Sequence, residues 1–201
     1  PTPSSFYTDS FILFWLLTSV RYAPFLILTL DVRLDSRRRL LESAIAGMSP
    51  EVLLWHPPGK WFAAEVLEHL YLTYTGTTKG FERIMSAGRP LASSASIAHR
   101  LKALLVIGVG FLPRGRKAPA IAFPRGMPAE QVCAEFAARM VAMDAVIGEC
   151  EARFGSRLKV LDHPILGPLT AQQWRKFHAV HGMHHHKQLL QLRSAYTASN
   201  R

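Results

Sequence analysis

The chain has 201 residues, 49% of them apolar, which is enough for one buried core of ordinary size and excludes wholesale disorder. The formal net charge of +10 does not by itself indicate a nucleic-acid partner. The only two cysteines, Cys133 and Cys150, form no CxxC pair, which argues against a disulfide framework and a thiolate zinc site and fits a reduced, intracellular protein.

The N-terminal part of the sequence contains a long apolar run. Phe11–Leu30 has twenty residues, as many as a membrane-spanning helix needs. Arg21 near its centre and Pro24 both oppose insertion, so the balance is marginal. Residues 1–10 contain no Lys or Arg, and a cleaved secretory signal is therefore not indicated. Membrane contact, if any, is expected only through residues 11–30.

The sequence divides into three parts. Residues 1–32 are an apolar extension, which is either a membrane anchor or a wrongly assigned start. Residues 33–196 are the folded domain, and residues 197–201 are a tail. The arginines Arg33, Arg37, Arg38 and Arg39 follow the apolar run and would hold the domain on the cytoplasmic side if that run inserts. We expect a cytoplasmic domain with or without the anchor.

Apolar residues recur at helical spacing from Asp35 onward. The first helix has its apolar positions at Leu34, Leu41, Ile45 and Met48. It is closed by Ser49-Pro50 and the loop that follows. The second helix begins at Trp61, ends at Gly80 or Gly88, and has its apolar positions at Val66, Leu67, Leu70, Tyr71 and Tyr74.

The third long helix has the clearest pattern. A shorter helix is expected over 97–112, and a connection rich in Pro, Gly and Arg then leads to Pro128, which suits a first helical turn. Gly155 ends this third helix. Its apolar seam is Val132, Phe136, Met140, Met143, Ile147, Cys150 and Phe154. Met140 and Met143 are read as packing residues and not as ligands of a soft metal.

The last helix opens with a capping box. The Thr170 hydroxyl can accept from the Gln173 backbone N–H while the Gln173 side chain returns the bond. The helix runs to about Ala195. We find neither an internal repeat nor a strand pattern that competes with the helices. The sequence predicts an all-α fold, an antiparallel bundle of four long helices.

This last helix carries histidines on its inward face. Its seam is Trp174, His178, His181, His185, Gln188 and Leu192. Buried imidazoles need partners for both ring nitrogens, and unpaired ones are costly. His181 and His185 lie one turn apart and can converge on one ion, while His69, in the middle of the second helix, supplies a ligand from a facing helix. We predict a divalent-metal site of His69, His181 and His185.

Three polar residues near this stripe have roles that the sequence leaves open. His178 either replaces His181 as a ligand or donates to a bound water. Gln188 either contacts the substrate or orients a ligand. Glu65 lies one turn before His69, and either Glu65 or His178 is a candidate proton carrier; Glu65 is otherwise a solvated residue.

We assign no catalytic role to the other histidines or to the basic loop. His184 and His186 are expected to be solvated or to support the ligands. The remaining histidines lie in or near loops and have no evident role: His56, His99 and His163. The loop Arg114-Gly115-Arg116-Lys117 would suggest nucleic-acid binding on charge alone, and since no recognition motif accompanies it we expect no nucleic-acid partner.

Two stretches of the sequence resemble the signature regions of a known family. They are WFAAEVLEHL (61–70) and HPILGPLTAQQWRKFHAVHGMHHHKQ (163–188), and together they are similar to the DinB-like superfamily of damage-inducible, metal-binding four-helix bundles. The pattern HP..G.LT..QW..FH..H..HH..Q is similar to an uncharacterised bacterial branch of that superfamily. The resemblance spans about Asp35 to Ala195. The sequence departs from it in the N-terminal apolar run and at Gly182-Met183, where polar residues are frequent.

The resemblance implies a three-histidine site for a divalent ion, commonly zinc or nickel, with His69, His181 and His185 as its ligands. It also implies a small-molecule substrate and a low-molecular-weight thiol as cosubstrate, because characterised relatives include S-transferases and isomerases that use bacillithiol, mycothiol or glutathione. We therefore expect a metal-dependent thiol S-transferase or hydrolase. The alternative is a non-catalytic metal-binding stress or sensor protein of the same fold. A homodimer fits a bundle whose surface is basic and partly apolar.

Overall fold

The computed structural model describes residues 30–113, 115 and 117–200. Within them lie six α-helices: α1 Val32–Ile45, α2 Pro50–Leu54, α3 Ala63–Ala87, α4 Ile97–Ala103, α5 Ala129–Phe154 and α6 Ala171–Ser199. The other elements are a π-helical turn Leu104–Gly108, a 3₁₀ turn Ala120–Ala122, and the strands β1 Lys159–His163 and β2 Gly167–Thr170. The apolar run up to residue 29, together with Arg114 and Arg116 of the basic loop, lies outside the described residues.

The four long helices form a bundle around one core. Helix α3 packs along α5, α1 packs along α6, and α6 also contacts α3 and α5. The predicted seam of α5 is confirmed, since its members from Val132 to Cys150 are 0 to 1% exposed. Met140 and Met143 are fully buried among apolar side chains, in agreement with a packing role. The all-α four-helix architecture expected from the sequence is thereby confirmed.

Helix boundaries follow the predicted signals closely. Gly88 caps the C-terminus of α3 with φ of 66°, a left-handed conformation that glycine adopts without a steric penalty. At the start of α6, Gln173 N donates to Thr170 Oγ1 at 3.2 Å and Thr170 N donates to Gln173 Oε1 at 3.1 Å, which is the predicted capping box. The expected helix over 97–112 is shorter, because it changes to a π-helical turn at Leu104 and ends at Gly108.

A two-stranded antiparallel hairpin precedes α6, where the sequence analysis expected no strand. Leu161 pairs with Leu169, and His163 pairs with Gly167 across the turn. His163 Nδ1 accepts from the backbone N–H groups of Ile165 and Leu166 at 3.1 and 3.2 Å and so closes the turn. The strands have only five and four residues, too few for a period-two pattern to stand out in the sequence. His163, which had no evident role, is thus a structural residue.

Two contacts fix α6 against its neighbours. The guanidinium of Arg175 donates to Asp144 Oδ1 and to Glu151 Oε2, both at 2.5 Å, and Asp144 Oδ2 also accepts from the Asp31 backbone N–H at the start of α1. On the other side of α6, a Cβ at Gly182 would lie 3.3 Å from the Cβ of Arg37. Glycine at 182 therefore permits α1 to approach α6 closely.

Candidate metal centre

The structure brings His69 of α3 together with His181 and His185 of α6. His181 Nε2 lies 3.1 Å from His69 Nε2 and 2.9 Å from His185 Nε2. One ligand atom from each of the three residues lies within 4.8 Å of the other two. All three side chains are buried, with exposed fractions of 5 to 7%. The three imidazoles that the sequence assigned to one site therefore meet inside the bundle.

Two of the three rings are oriented by an acceptor on their far side. His69 Nδ1 donates to the backbone carbonyl of Ala122 at 2.7 Å, and His185 Nδ1 donates to Gln188 Oε1 at 2.9 Å. A carbonyl oxygen only accepts, so the Nδ1 atom carries the proton and the Nε2 lone pair points toward His181. Such partners fix the tautomer and the direction of a metal-ligating imidazole. Gln188 therefore orients the ring of His185.

The electrostatic environment keeps these imidazoles neutral. Burial lowers the pKa of His69 below its usual value of 6.5. Burial, together with repulsion from neighbouring histidines, lowers the pKa values of His181 and His185 well below it. Neutral imidazole is the form that binds a metal ion, so each ring is ready to act as a ligand at neutral pH.

The residues present fit a bound cation. Two nitrogens that bind one ion at about 2.0 to 2.1 Å lie about 2.8 to 3.4 Å apart, which matches both Nε2 distances. If His181 Nε2 carries a proton, it can donate to only one of its two neighbours, His69 Nε2 or His185 Nε2. A cation instead binds the lone pairs of all three Nε2 atoms. His181 Nδ1 is buried without a hydrogen-bond partner among the described residues. The triad is therefore poorly satisfied by hydrogen bonds alone and can bind a metal ion.

Aromatic rings line the triad, and no pattern in the sequence indicated that any of them belongs to the site. Phe177 stacks on His181 with ring centroids 5.4 Å apart and planes at 14°. Trp61 lies 5.3 Å from the His69 ring, and Phe123 packs edge-on against Trp61 at 5.6 Å. Phe123 is 50% exposed, so Trp61 and Phe123 form an apolar wall between the triad and the surface. In the sequence, the only indication that Trp61 belongs to the site is its position eight residues before His69.

His178 lies one turn before His181 but is not a member of the triad. Its Nε2 is 3.1 Å from Thr77 Oγ1, and its ring stacks on Trp174. The side chain is fully buried, and this burial lowers the pKa of His178 to about 3. The ring is therefore neutral at neutral pH and packed against Trp174, Phe177 and Tyr74.

Glu65 and the two other histidines of α6 have contacts of their own. The Phe62 backbone N–H donates to Glu65 Oε2 at 3.1 Å, so this carboxylate caps the start of α3. His186 Nδ1 donates to the carbonyl of Leu40 at 3.0 Å and joins α6 to α1. The His184 ring packs edge-on against His185 with centroids 5.0 Å apart.

Glu68 was not singled out in the sequence, yet it supports the site from the residue before His69. It is 3% exposed, and its carboxylate accepts from the backbone N–H groups of Arg125, Gly126 and Met127 at 2.8, 3.1 and 3.0 Å. These bonds hold the loop that also contains the Ala122 carbonyl. The neighbouring residues Glu68 and His69 thus bind the same loop.

The Glu68→Ala variant should lose both stability and metal affinity. Three backbone donors lose a charged acceptor, so we expect the free energy of unfolding to fall by about 2 to 4 kcal/mol. Since the loop also orients His69, metal affinity should fall roughly 10- to 100-fold. Chemical denaturation and competition with a chromophoric chelator measure the two effects. Glu82→Ala, at an exposed position of the same helix, is the matched control, and equal affinities of the two variants would contradict this role.

Cys133 and Cys150 are both free, and burial raises the pKa of each thiol, which disfavours the reactive thiolate.

Among residues 30–113, 115 and 117–200, no helix combines the length and the apolar character needed to cross a membrane. The arginines that follow the apolar run, Arg33, Arg38 and Arg39, pair with carboxylates of α1 or its N-cap.

Comparison with known proteins identifies the family. The family model of the DinB superfamily matches residues 33–189, which is most of the chain and includes all three histidines of the triad. Neither the curated proteins nor the solved structures gave a significant match. The bundle, the histidine triad and this match agree with the resemblance seen in the sequence. The chain belongs to the DinB superfamily.

Proposed function

We propose that this protein is a divalent-metal-dependent enzyme of the thiol S-transferase or hydrolase type, acting on a small-molecule substrate. The observation that carries the proposal is the convergence of three neutral imidazole Nε2 atoms, two of them oriented by acceptors on their far side. When bound there, zinc or nickel supplies a doubly positive charge that lowers the pKa of a bound water or thiol toward neutrality. Neutral ligands leave that charge undiminished.

In this proposal the chain's own residues bind the ion, orient the ligating rings and shield the site from water. Ala122 and Gln188 hold two of the ligating rings in place, and Phe177 covers the third. Trp61 and Phe123 exclude water from one side and offer an apolar surface to a substrate. Proton transfer by Glu65 or His178 remains part of the proposal. The burial of His178 favours Glu65, which is only half-buried, as the proton carrier.

A second candidate is a metal-binding stress or sensor protein without catalysis. The observation that favours it is the burial of the triad, whose members are at most 7% exposed. In that case the ion chiefly joins α3 to α6, and its removal lowers the melting temperature while no reaction depends on it.

Turnover with low-molecular-weight thiols separates the two candidates. The full chain, loaded with zinc or nickel or treated with a chelator, is incubated with bacillithiol, mycothiol or glutathione and monochlorobimane, and in parallel with activated esters and amides. We expect metal-dependent conjugation or hydrolysis that is lost in His181→Ala and retained in His56→Ala, since His56 is exposed and lies outside the triad. If no substrate shows metal-dependent turnover although the ion binds, the non-catalytic candidate replaces the enzyme.

A further inference from the structure

The segment from residue 97 to residue 125 presents large apolar side chains to solvent. Those at least half exposed are Ile97, Leu101, Leu104, Val109, Phe111, Ile121 and Phe123. On its inner side, Val106 and Ile107 are 6% and 5% exposed and pack into the core beside α6. The segment is therefore held firmly on the bundle while its outer side is apolar. Elsewhere on the described surface, the exposed large apolar residues are spread over several elements: Val32, Leu54, Val141, Leu158, Ile165 and Leu190.

The charge of this region has one sign. Between Glu82 and Glu130 the sequence contains no acidic residue. The cations in that interval are Arg83, Arg89, Arg100, Lys102, Arg114, Arg116, Lys117 and Arg125. Two carboxylates from other elements, Glu68 and Asp162, contact it, and both accept from its backbone N–H groups.

Helical geometry places one cation on each side of the apolar stripe, with Arg100 near its edge and Lys102 farther round the helix. At about 100° per residue, Ile97, Leu101 and Leu104 share one face of α4 and its continuation. Arg100 lies about 70° to one side of that face and Lys102 about 130° to the other side, and both are exposed. An apolar stripe flanked by cations is the arrangement of helices that lie in the headgroup region of a bilayer, where Lys and Arg reach the phosphates while the apolar side chains enter the acyl boundary.

We propose that residues 97–113 and 117–125 form an interfacial face that binds the surface of an anionic lipid bilayer. This goes beyond the proposed function and adds a second membrane contact to the one expected through residues 11–30. A second copy of the chain fits less well, because a two-fold interface would bring the same cations together with no acidic residue of the interval to oppose them. Nucleic acid would use the cations but leaves the apolar stripe unexplained.

A fluorescent label on the face itself tests the proposal in the full chain. The background is Cys133→Ser, and the remaining natural cysteine, Cys150, is fully buried and so does not react with the label. In this background Leu104→Cys carries an environment-sensitive fluorophore, and Leu190→Cys is the matched control on α6. Vesicles of phosphatidylglycerol and phosphatidylcholine should shift the emission of the label at 104 to shorter wavelength and leave that at 190 unchanged. Vesicles of phosphatidylcholine alone should have a much smaller effect. Because the readout is local, insertion of the N-terminal run does not by itself shift a label that stays in water at residue 104.

Charge variants provide the second arm. In the Leu104→Cys background, Arg100→Gln with Lys102→Gln should raise the lipid concentration for half of the shift roughly 25-fold, about five-fold for each charge removed. The control is Arg157→Gln with Lys187→Gln, two exposed cations elsewhere.

Several outcomes would overturn the proposal. They are the absence of a shift at 104, equal shifts at 104 and 190, and a shift that neither the lipid charge nor the charge variants alter. A shift without vesicles, together with a doubled mass in light scattering, would assign the face to a second copy of the chain. A shift caused by a mixed-sequence oligonucleotide, with none from vesicles, would assign it to nucleic acid.

Discussion

We expect the His69→Ala variant to bind zinc or nickel at least about a hundred-fold more weakly than the unaltered chain. Loss of a residue that merely orients a ligand already costs roughly 10- to 100-fold, and here one of three ligands is removed. At a free metal concentration of about 100 times the Kd, the ion stabilises the unaltered chain by roughly 2.7 kcal/mol, and this increment should fall to about 0.4 kcal/mol or less in the variant. Chelator competition gives the affinity, and thermal unfolding with and without metal gives the increment.

Two further variants make this result specific to the triad. His56→Ala removes an exposed histidine and should leave the affinity unchanged. His178→Phe keeps an aromatic ring against Trp174 and should retain the affinity within about ten-fold, because the triad does not include His178. A large loss in His178→Phe, with none in His181→Ala, would instead assign the third ligand to His178.

Acid should unfold the chelator-treated protein well above the pH at which its carboxylates are protonated. Burial lowers the pKa of His163 to about 4 and that of His178 to about 3, against 6.5 for an ordinary histidine. Below pH 6.5 the unfolded chain therefore binds protons that the folded chain does not, so the stability present above pH 6.5 is lost as the pH falls. Each residue contributes about 1.4 kcal/mol per pH unit, and the two together on the order of 5 kcal/mol between pH 7.5 and 4.5.

The measurement is the free energy of unfolding in urea at a series of pH values with chelator present. His178→Phe should reduce this slope noticeably, since it removes one of the buried titrating rings. Thr77→Val is the control: it removes the hydroxyl beside His178 Nε2 and lowers stability, but it keeps the ring and should keep the slope. A flat profile between pH 6.5 and 4.5 would contradict the inferred neutral burial of these histidines.

Most of the helical architecture could be predicted because the sequence carries it in local signals. The seam of α5 and the capping box at Thr170 depend on residues within one or two turns of each other, and the structure agrees with both. The hairpin and the π-helical turn were not predicted, and for the hairpin the reason is physical. The hairpin is stabilised by contacts with residues outside the strands, such as the bond from Trp174 Nε1 to the Leu161 carbonyl at 3.2 Å. No short window of sequence contains that information.

The triad could be predicted because its side-chain chemistry is unusual at core positions, whereas the groups around it could not. Buried histidines at helical spacing require a partner, and this requirement is visible in the sequence. The Ala122 carbonyl is a backbone atom, common to every residue type, so no motif marks it. Glu68 reads as an ordinary helix residue until its three backbone donors are seen, and Trp61 and Phe123 acquire a role only through their distance from His69.

The use of a main-chain oxygen to hold His69 gives the loop around residue 122 unusual freedom for redesign. The hydrogen bond requires a carbonyl at that place and makes no demand on the side chain attached to it. Side chains at 121 and 123 can therefore be exchanged without removing the bond that holds His69, although charged ones would disrupt the face proposed for lipid binding. Substitutions at these two positions therefore change the apolar surface beside the triad while all three histidines stay in place.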